Sequence, residues 1–141
     1  MFVRGQAESA DANVVAFATG NDLSSPLWAL AAGGAFTVRT AAGSRVFDLS
    51  SAIDLAGGWH HFAVSYASAG GDTEVKAYWD HELALEATVP GALDFSAAAG
   101  YTVGSAGFAG AVDELRVRAG VYAPADFLYA APPRSTMMLI R

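Results

Sequence analysis

The sequence predicts an all-β fold, with antiparallel sheets packed as a sandwich or closed as a barrel, and three observations carry that expectation. Short runs of β-branched and aromatic residues, such as Phe36-Thr37-Val38 and Tyr101-Thr102-Val103, recur along the chain. The 15 Gly and 5 Pro fall between these runs as turn signals, and the turns recur at about 8–12 residues, the rhythm of a sandwich. Outside the neighbourhood of Pro124, no long window shows the apolar period of a helix. At 141 residues, 53% hydrophobic and 16% charged, the chain is expected to be one domain, or a piece of one, with ample apolar surface for a core.

Candidate strands fall, in order, at 2–6, 13–19, 27–31, 36–40, 45–48, 59–67, 73–79, 83–89, 101–103, 111–118 and 136–140. Alternation assigns their faces. In the seventh, Val75, Ala77 and Trp79 share one side while Glu74 and Lys76 share the other; in the eighth, Leu83, Leu85, Ala87 and Val89 oppose Glu82 and Glu86. In the sixth, Phe62, Val64 and Tyr66 align with His60 on one side, and Trp59, His61, Ala63 and Ser65 lie on the other, which predicts a central strand covered on both faces.

The pair Gly33-Gly34 suits a two-residue hairpin turn with positive φ. That register sets Leu30 opposite Thr37 and Trp28 opposite Arg39, with Ala29, Ala31, Phe36 and Val38 facing the core. A second turn at Ala42-Gly43 then brings Val46 beside Arg39, so Trp28, Arg39 and Val46 form an outward row. An outward aromatic stacks on a sugar face or anchors a protein partner, and Arg adds a planar donor fork. This row is the candidate ligand-binding surface. Read without a ligand, the same row is a cross-strand cation–π pair on an ordinary sheet.

Charge narrows the function classes. The 14 acidic and 8 basic residues leave a net charge of −6 with no basic run, which argues against nucleic acid and against a polybasic membrane role. No stretch approaches the roughly 18–20 apolar residues of a membrane-spanning helix, so no membrane insertion is expected. Without cysteine there is no disulfide, thiol nucleophile or cysteine zinc site.

The segment Gly58-Trp59-His60-His61-Phe62-Ala63-Val64-Ser65-Tyr66 resembles the Trp-His-His strand of laminin-G-like domains, in the concanavalin A-like lectin/glucanase superfamily. Three further strings follow in the family's order. Val75-Lys76-Ala77-Tyr78-Trp79-Asp80-His81-Glu82-Leu83 is similar to its Tyr-x-Asp-Gly hairpin, Tyr101-Thr102-Val103-Gly104 to its strand ending in Gly, and Phe108-Ala109-Gly110-Ala111-Val112-Asp113-Glu114-Leu115 to its Phe-x-Gly-x-x-Asp-Glu strand. The resemblance covers residues 2–127 and implies a two-sheet antiparallel jelly-roll sandwich. It also implies a non-catalytic module that binds glycan or protein, beside neighbouring domains of a larger extracellular, cell-surface or virion protein. A structural spacer or assembly module is the alternative.

The chain departs from the family pattern in two places. His81 replaces the usual hairpin Gly, which predicts a looser turn. The strand pair that family members carry ahead of 2–6 is not in this sequence, which makes the chain look truncated at its front. The organisation expected is a jelly-roll domain over 1–130 and a Pro-linked tail over 131–141. The tail's strand at 136–140 either fills the sheet edge beside 111–118 or begins a following repeat.

The remaining motifs favour packing over chemistry. His60 and His61, adjacent on a strand, point to opposite faces and cannot share one metal ion, so Trp59, His60 and His61 read as structural. Asp113 and Glu114 are opposed in the same way, with Glu114 and Arg116 placed for a surface ion pair. Retaining glucanases need two carboxylates about 5–5.5 Å apart on one face. The nearest approach here, Asp80, Glu82 and Glu86, reads as a solvated hairpin flank, so no catalytic residue and no glycosidase activity are expected. No cofactor is expected beyond calcium, for which Asp22 and Asp72 are the weak candidates; that ion takes about 6–8 oxygens. Pro124 to Phe127 reads as a short helical turn with Phe127 tucked under the sandwich.

Overall fold

The computed structural model describes residues 1–7, 10–19, 26–93, 98–104 and 108–127. Its strands are β1 (Phe2–Ala7), β2 (Asn13–Thr19), β3 (Pro26–Ala31), β4 (Ala35–Thr40), β5 (Gly43–Asp48), β6 (His60–Ala69), β7 (Asp72–Trp79), β8 (Glu82–Val89), β9 (Ala98–Val103) and β10 (Phe108–Asp113). A 3-10 turn follows at Pro124–Asp126. The strands form two antiparallel five-stranded sheets, ordered β10-β1-β6-β7-β8 and β5-β4-β3-β2-β9. The predicted strand at 136–140 and the calcium candidate Asp22 lie outside the described residues.

The two sheets face each other across a core that includes Val3, Val15, Leu30, Phe36, Phe62 and Trp79. Strand β6 sits mid-sheet, flanked by β1 and β7. Its inner face contributes Phe62, with Val64 and Tyr66 packed against the core. Its outer face is also covered at one end: His61 is buried beneath Phe2, His81 and Phe127, with ring centroids 5.1, 4.6 and 5.5 Å away. At another point the sheet ends are tied by hydroxyls. Thr40 donates to the Pro90 carbonyl, and Thr73 donates to the carbonyl of Gly91 at 2.8 Å.

The β3–β4 hairpin differs from the sequence reading by one residue. Trp28 faces Val38, Ala29 faces Thr37 and Leu30 faces Phe36. Because side chains alternate with period two, that slip turns β3 over relative to β4. Trp28 and Leu30 therefore join Phe36 and Val38 in the core, and Trp28 is only 7% exposed. Continuing this register leaves a three-residue loop over 32–34, closed by the Gly34 N–H on the Ala31 carbonyl at 3.0 Å, with Gly34 at φ +89°. The physical reason is burial. The shifted register packs a Trp and a Leu into the core where the two-residue turn would have buried only Ala29 and Ala31.

The next hairpin is also displaced, but by two residues, which preserves the faces. Val46 stands opposite Thr37 and Arg39 opposite Ser44, so Arg39 and Val46 remain on the outer side without Trp28. The outward Trp28–Arg39–Val46 row is thus not formed.

Three other expectations are corrected. The turn at Asp80-His81 is tight: Trp79 pairs directly with Glu82 and both turn residues have positive φ, +48° and +71°. A register shift between Ala77 and Tyr78 pairs Tyr78 with Leu83 and Ala77 with Leu85, so Leu83 faces outward and is 52% exposed. The tenth strand ends at Asp113 rather than 118: Phe2 pairs with Asp113, and the next residue, Glu114, takes φ +53°, outside the extended region. The β-rich composition of Leu115-Arg116-Val117 does not carry the strand past that break.

Candidate functional site

The Trp-His-His segment and the β7–β8 turn, far apart in sequence, meet at one carboxylate. Asp80 accepts the backbone N–H of His61 through Oδ1 at 2.8 Å, and its own N–H returns to the His61 carbonyl at 2.8 Å. Its Oδ2 lies 2.7 Å from His60 Nδ1, and His60 Nε2 lies 2.9 Å from the Ala56 carbonyl. Burial works to lower the His60 pKa, but acceptors at both ring nitrogens favour the imidazolium and leave it raised. His60 also stacks on Trp79, with centroids 5.1 Å apart and planes 18° apart. Trp59 lies beneath the Arg4 guanidinium at 4.9 Å.

His61 has the opposite electrostatics. Burial, helped by the neighbouring terminal amine and His81, pushes its pKa down to about 4, against a smaller pull from Asp80. Its ring stacks on His81 at an interplanar angle of 8°. Among the described residues, neither His61 Nδ1 nor His81 Nε2 has a hydrogen-bond partner. This is an aromatic plug between β6 and the 3-10 turn, and it is finished by Phe127 against Tyr78 at 5.1 Å.

Beside the plug the sandwich opens into a groove. The β1–β6 ladder pairs Val3 with His60 and Phe2 with His61, and then Met1 exchanges hydrogen bonds with Phe62, N–H to O at 2.9 Å in each direction. Because the Phe62 N–H points to β1, alternation directs the Val64 N–H to the same side. One wall is formed by 63–66 of β6 and the other by 115–118. Between these walls lies a cavity of about 610 Å³, lined by Trp28, Phe62, Val64, Tyr66, Leu115 and Val117 among others. A smaller volume of about 130 Å³ extends toward His61, Tyr122 and Phe127. The Met1 amine sits at the groove's end; burial pushes its pKa down to about 6, opposed by Glu114 and reinforced by Arg116.

Two antiparallel five-stranded sheets, a Trp-His-His strand at the centre of one and a positive-φ hairpin clamped to it by an Asp form a recognisable arrangement. A laminin G family model, described as the concanavalin A-like lectin/glucanases superfamily, matches residues 2–126, from β1 through the 3-10 turn. The chain belongs to the concanavalin A-like superfamily. No curated protein and no solved structure gives a match.

In this concanavalin A-like domain the residues singled out from the sequence go to separate places. Trp28 moves from the expected outer row to the wall of the groove. Arg39 Nε points to the Pro26 carbonyl at 3.4 Å, and Val46 stands 67% exposed on an edge strand. Asp72 Oδ1 accepts the Gly91 N–H at 3.1 Å, closing the loop after β8. Asp113 accepts the Glu114 N–H at 2.8 Å, and Glu114 Oε2 takes two donors from Arg116, at 3.0 and 2.7 Å. Glu86 and Glu74 both hold Lys76, at 2.8 and 3.2 Å. The sequence reading missed Asp80 as the hub of the Trp-His-His motif, and it missed the groove. The available signal for Asp80 was an acid at the first residue of a two-residue turn, a position where Asp tolerates positive φ and has a carboxylate to spare.

Proposed function

We propose that this domain is a non-catalytic recognition module whose ligand is a polypeptide segment, bound in the apolar groove beside β6. The observation that supports the reading is the cavity of about 610 Å³ between 63–66 and 115–118, with Trp28 in its wall; its size is that of a ligand site, about 300–1,000 Å³. An apolar lining that includes Trp28, Phe62, Leu115 and Val117 accepts the apolar side chains of such a segment. Glycan recognition is less favoured, since the aromatic expected to stack on a sugar is turned inward and its neighbours in the groove, Leu115 and Val117, are apolar. An assembly role uses the same surface, with the segment supplied by a neighbouring domain. The absence of hydrolysis is part of the proposal: Glu74, Glu86 and Glu114 are each held by a basic side chain, and fold membership by itself carries no catalytic claim. An extracellular, cell-surface or virion setting fits such a module; among the described residues no helix is long and apolar enough to cross a membrane.

The test is selection of short random peptides and, in parallel, titration with laminarin. Peptides that quench tryptophan fluorescence in the native protein, but not in Val117→Asp at the exposed rim, support the reading. Binding or turnover of laminarin that is unaffected by Val117→Asp, with no peptide selected, overturns it.

A further inference from the structure

The aromatic plug fastens a segment that is otherwise tied mainly to itself. From Glu114 to Ala123 the chain runs without strand or helix, and the 3-10 turn follows at Pro124–Asp126. Among the described residues the hydrogen bonds of 114–127 are local: Glu114 with Asp113 and Arg116, Tyr122 with the Ala119 carbonyl at 3.0 Å, Ala123 with Asp126 at 3.3 Å and Phe127 with the Pro124 carbonyl at 3.2 Å. The ring contacts that join this segment to the sheet, among the same residues, are those of Phe127 with His61, His81 and Tyr78, at 5.5, 6.0 and 5.1 Å.

Two of those three partners are imidazoles with no acceptor in reach. His61 and His81 stack 4.6 Å apart, and His61 Nδ1 and His81 Nε2 are buried without a hydrogen-bond partner among the described residues. Neutral rings stack there at little cost, whereas an imidazolium needs an acceptor or water at each N–H, and two of them repel at this spacing. We infer that the stacked pair is an acid-released latch: protonation expels Phe127, and 114–127 leaves the sandwich while both sheets stay folded. Because 115–118 form one wall of the groove, release also opens the groove and frees a ligand held there; this last step rests on the recognition reading.

His61 sets the pH window. Latched, its pKa is about 4; released into water it returns to about 6.5. The latch is therefore complete above that upper value and weakens by up to about 10-fold per pH unit toward the lower one, about 300-fold in all. The Met1 amine, with a pKa of about 6, gains its charge in the same window and adds repulsion, and Asp80 opposes it. Glu114, Arg116, Arg118, Tyr122 and Asp126 line the adjoining cavity, and Tyr78 faces Phe127 from β7.

The experiment is an NMR titration of the native protein from pH 8 to 4, following the Phe127–Tyr78 ring NOE, the His61 ring signals and, as the measure of folding, the amides of Leu30 and Val75. The NOE is expected to fade along the His61 curve while both amides hold. His61→Phe, which keeps the stack and the Met1 amine, is expected to retain the NOE at pH 4. Phe127 still docked at pH 4 in the native protein overturns the inference, as does release while His61 is neutral, or release at the same pH in His61→Phe. The native titration decides alone should the variant fold poorly. A selected peptide that dissociates along the His61 curve supports the groove step, and one that stays bound after Phe127 has left overturns it. If no peptide binds at any pH, the recognition reading falls and the latch stands on Phe127.

Discussion

Removing the Asp80 carboxylate is expected to loosen the centre of the β10-β1-β6-β7-β8 sheet in a pH-dependent way. In Asp80→Ala the His61 N–H loses a charge-assisted acceptor, worth about 1–3 kcal/mol, and an alanine must hold φ +48°, worth about 1–2 kcal/mol. Since the Asp80 side chain is 47% exposed, solvent screening trims the electrostatic part, and a loss of about 2–4 kcal/mol is expected. Asp80→Asn keeps an oxygen for His61 and tolerates the backbone, so it isolates the interaction with His60, about 0.5–1 kcal/mol. The sign follows from His60, whose folded pKa is raised. Its contribution is complete below the unfolded value of about 6.5 and is lost as pH rises through the folded value. Urea denaturation of the Asn variant should therefore show its largest deficit near pH 5.5 and almost none at pH 9, and an NMR titration should show the His60 midpoint falling. A deficit constant across that range, or an Ala variant within about 0.5 kcal/mol of the native protein, would refute the clamp.

Two further expectations concern stability. His61 is held neutral with a pKa near 4, so folding excludes a proton that the unfolded chain accepts below about 6.5, and stability should drop by about 2–3 kcal/mol between those values. His61→Phe, which keeps the ring packing, should flatten that part of the curve; parallel acid profiles for the two proteins would count against it. Gly34→Ala forces a Cβ to within 2.5 Å of the Ser50 nitrogen at φ +89° and should cost about 2–4 kcal/mol. Gly43→Ala, at φ +121° with nothing within 4 Å, should cost about 1–2 kcal/mol, and equal melting shifts for the two would show that crowding at Ser50 plays no part.

Strand positions and sheet type were legible because alternation and turn residues act locally. β7 illustrates this, with Val75, Ala77 and Trp79 inward as the period requires. Parity was harder. Gly33-Gly34 satisfies both a two-residue and a three-residue loop, and only the competition between burying Trp28 and burying Ala29 decides, a comparison made between strands and not within one. The outward Leu83 depends on a single extra residue in the ladder, which leaves no mark on the alternation of apolar letters. The end of β10 is set by the positive φ of Glu114, a residue type that gives no local turn signal. The site was the least legible part, because Asp80 reads as a solvated turn acid until His60 and His61 arrive from 20 and 19 positions away. Likewise, a groove is defined by what is missing between strands.

The position of Met1, hydrogen-bonded to Phe62 at the mouth of the cavity, bears on how the protein is handled at the bench. A purification handle or fluorescent reporter fused ahead of that methionine has to thread the very channel it is meant to interrogate. The bend at Gly70-Gly71, where an added Cβ meets nothing within 4 Å, offers an insertion point that leaves the channel unobstructed.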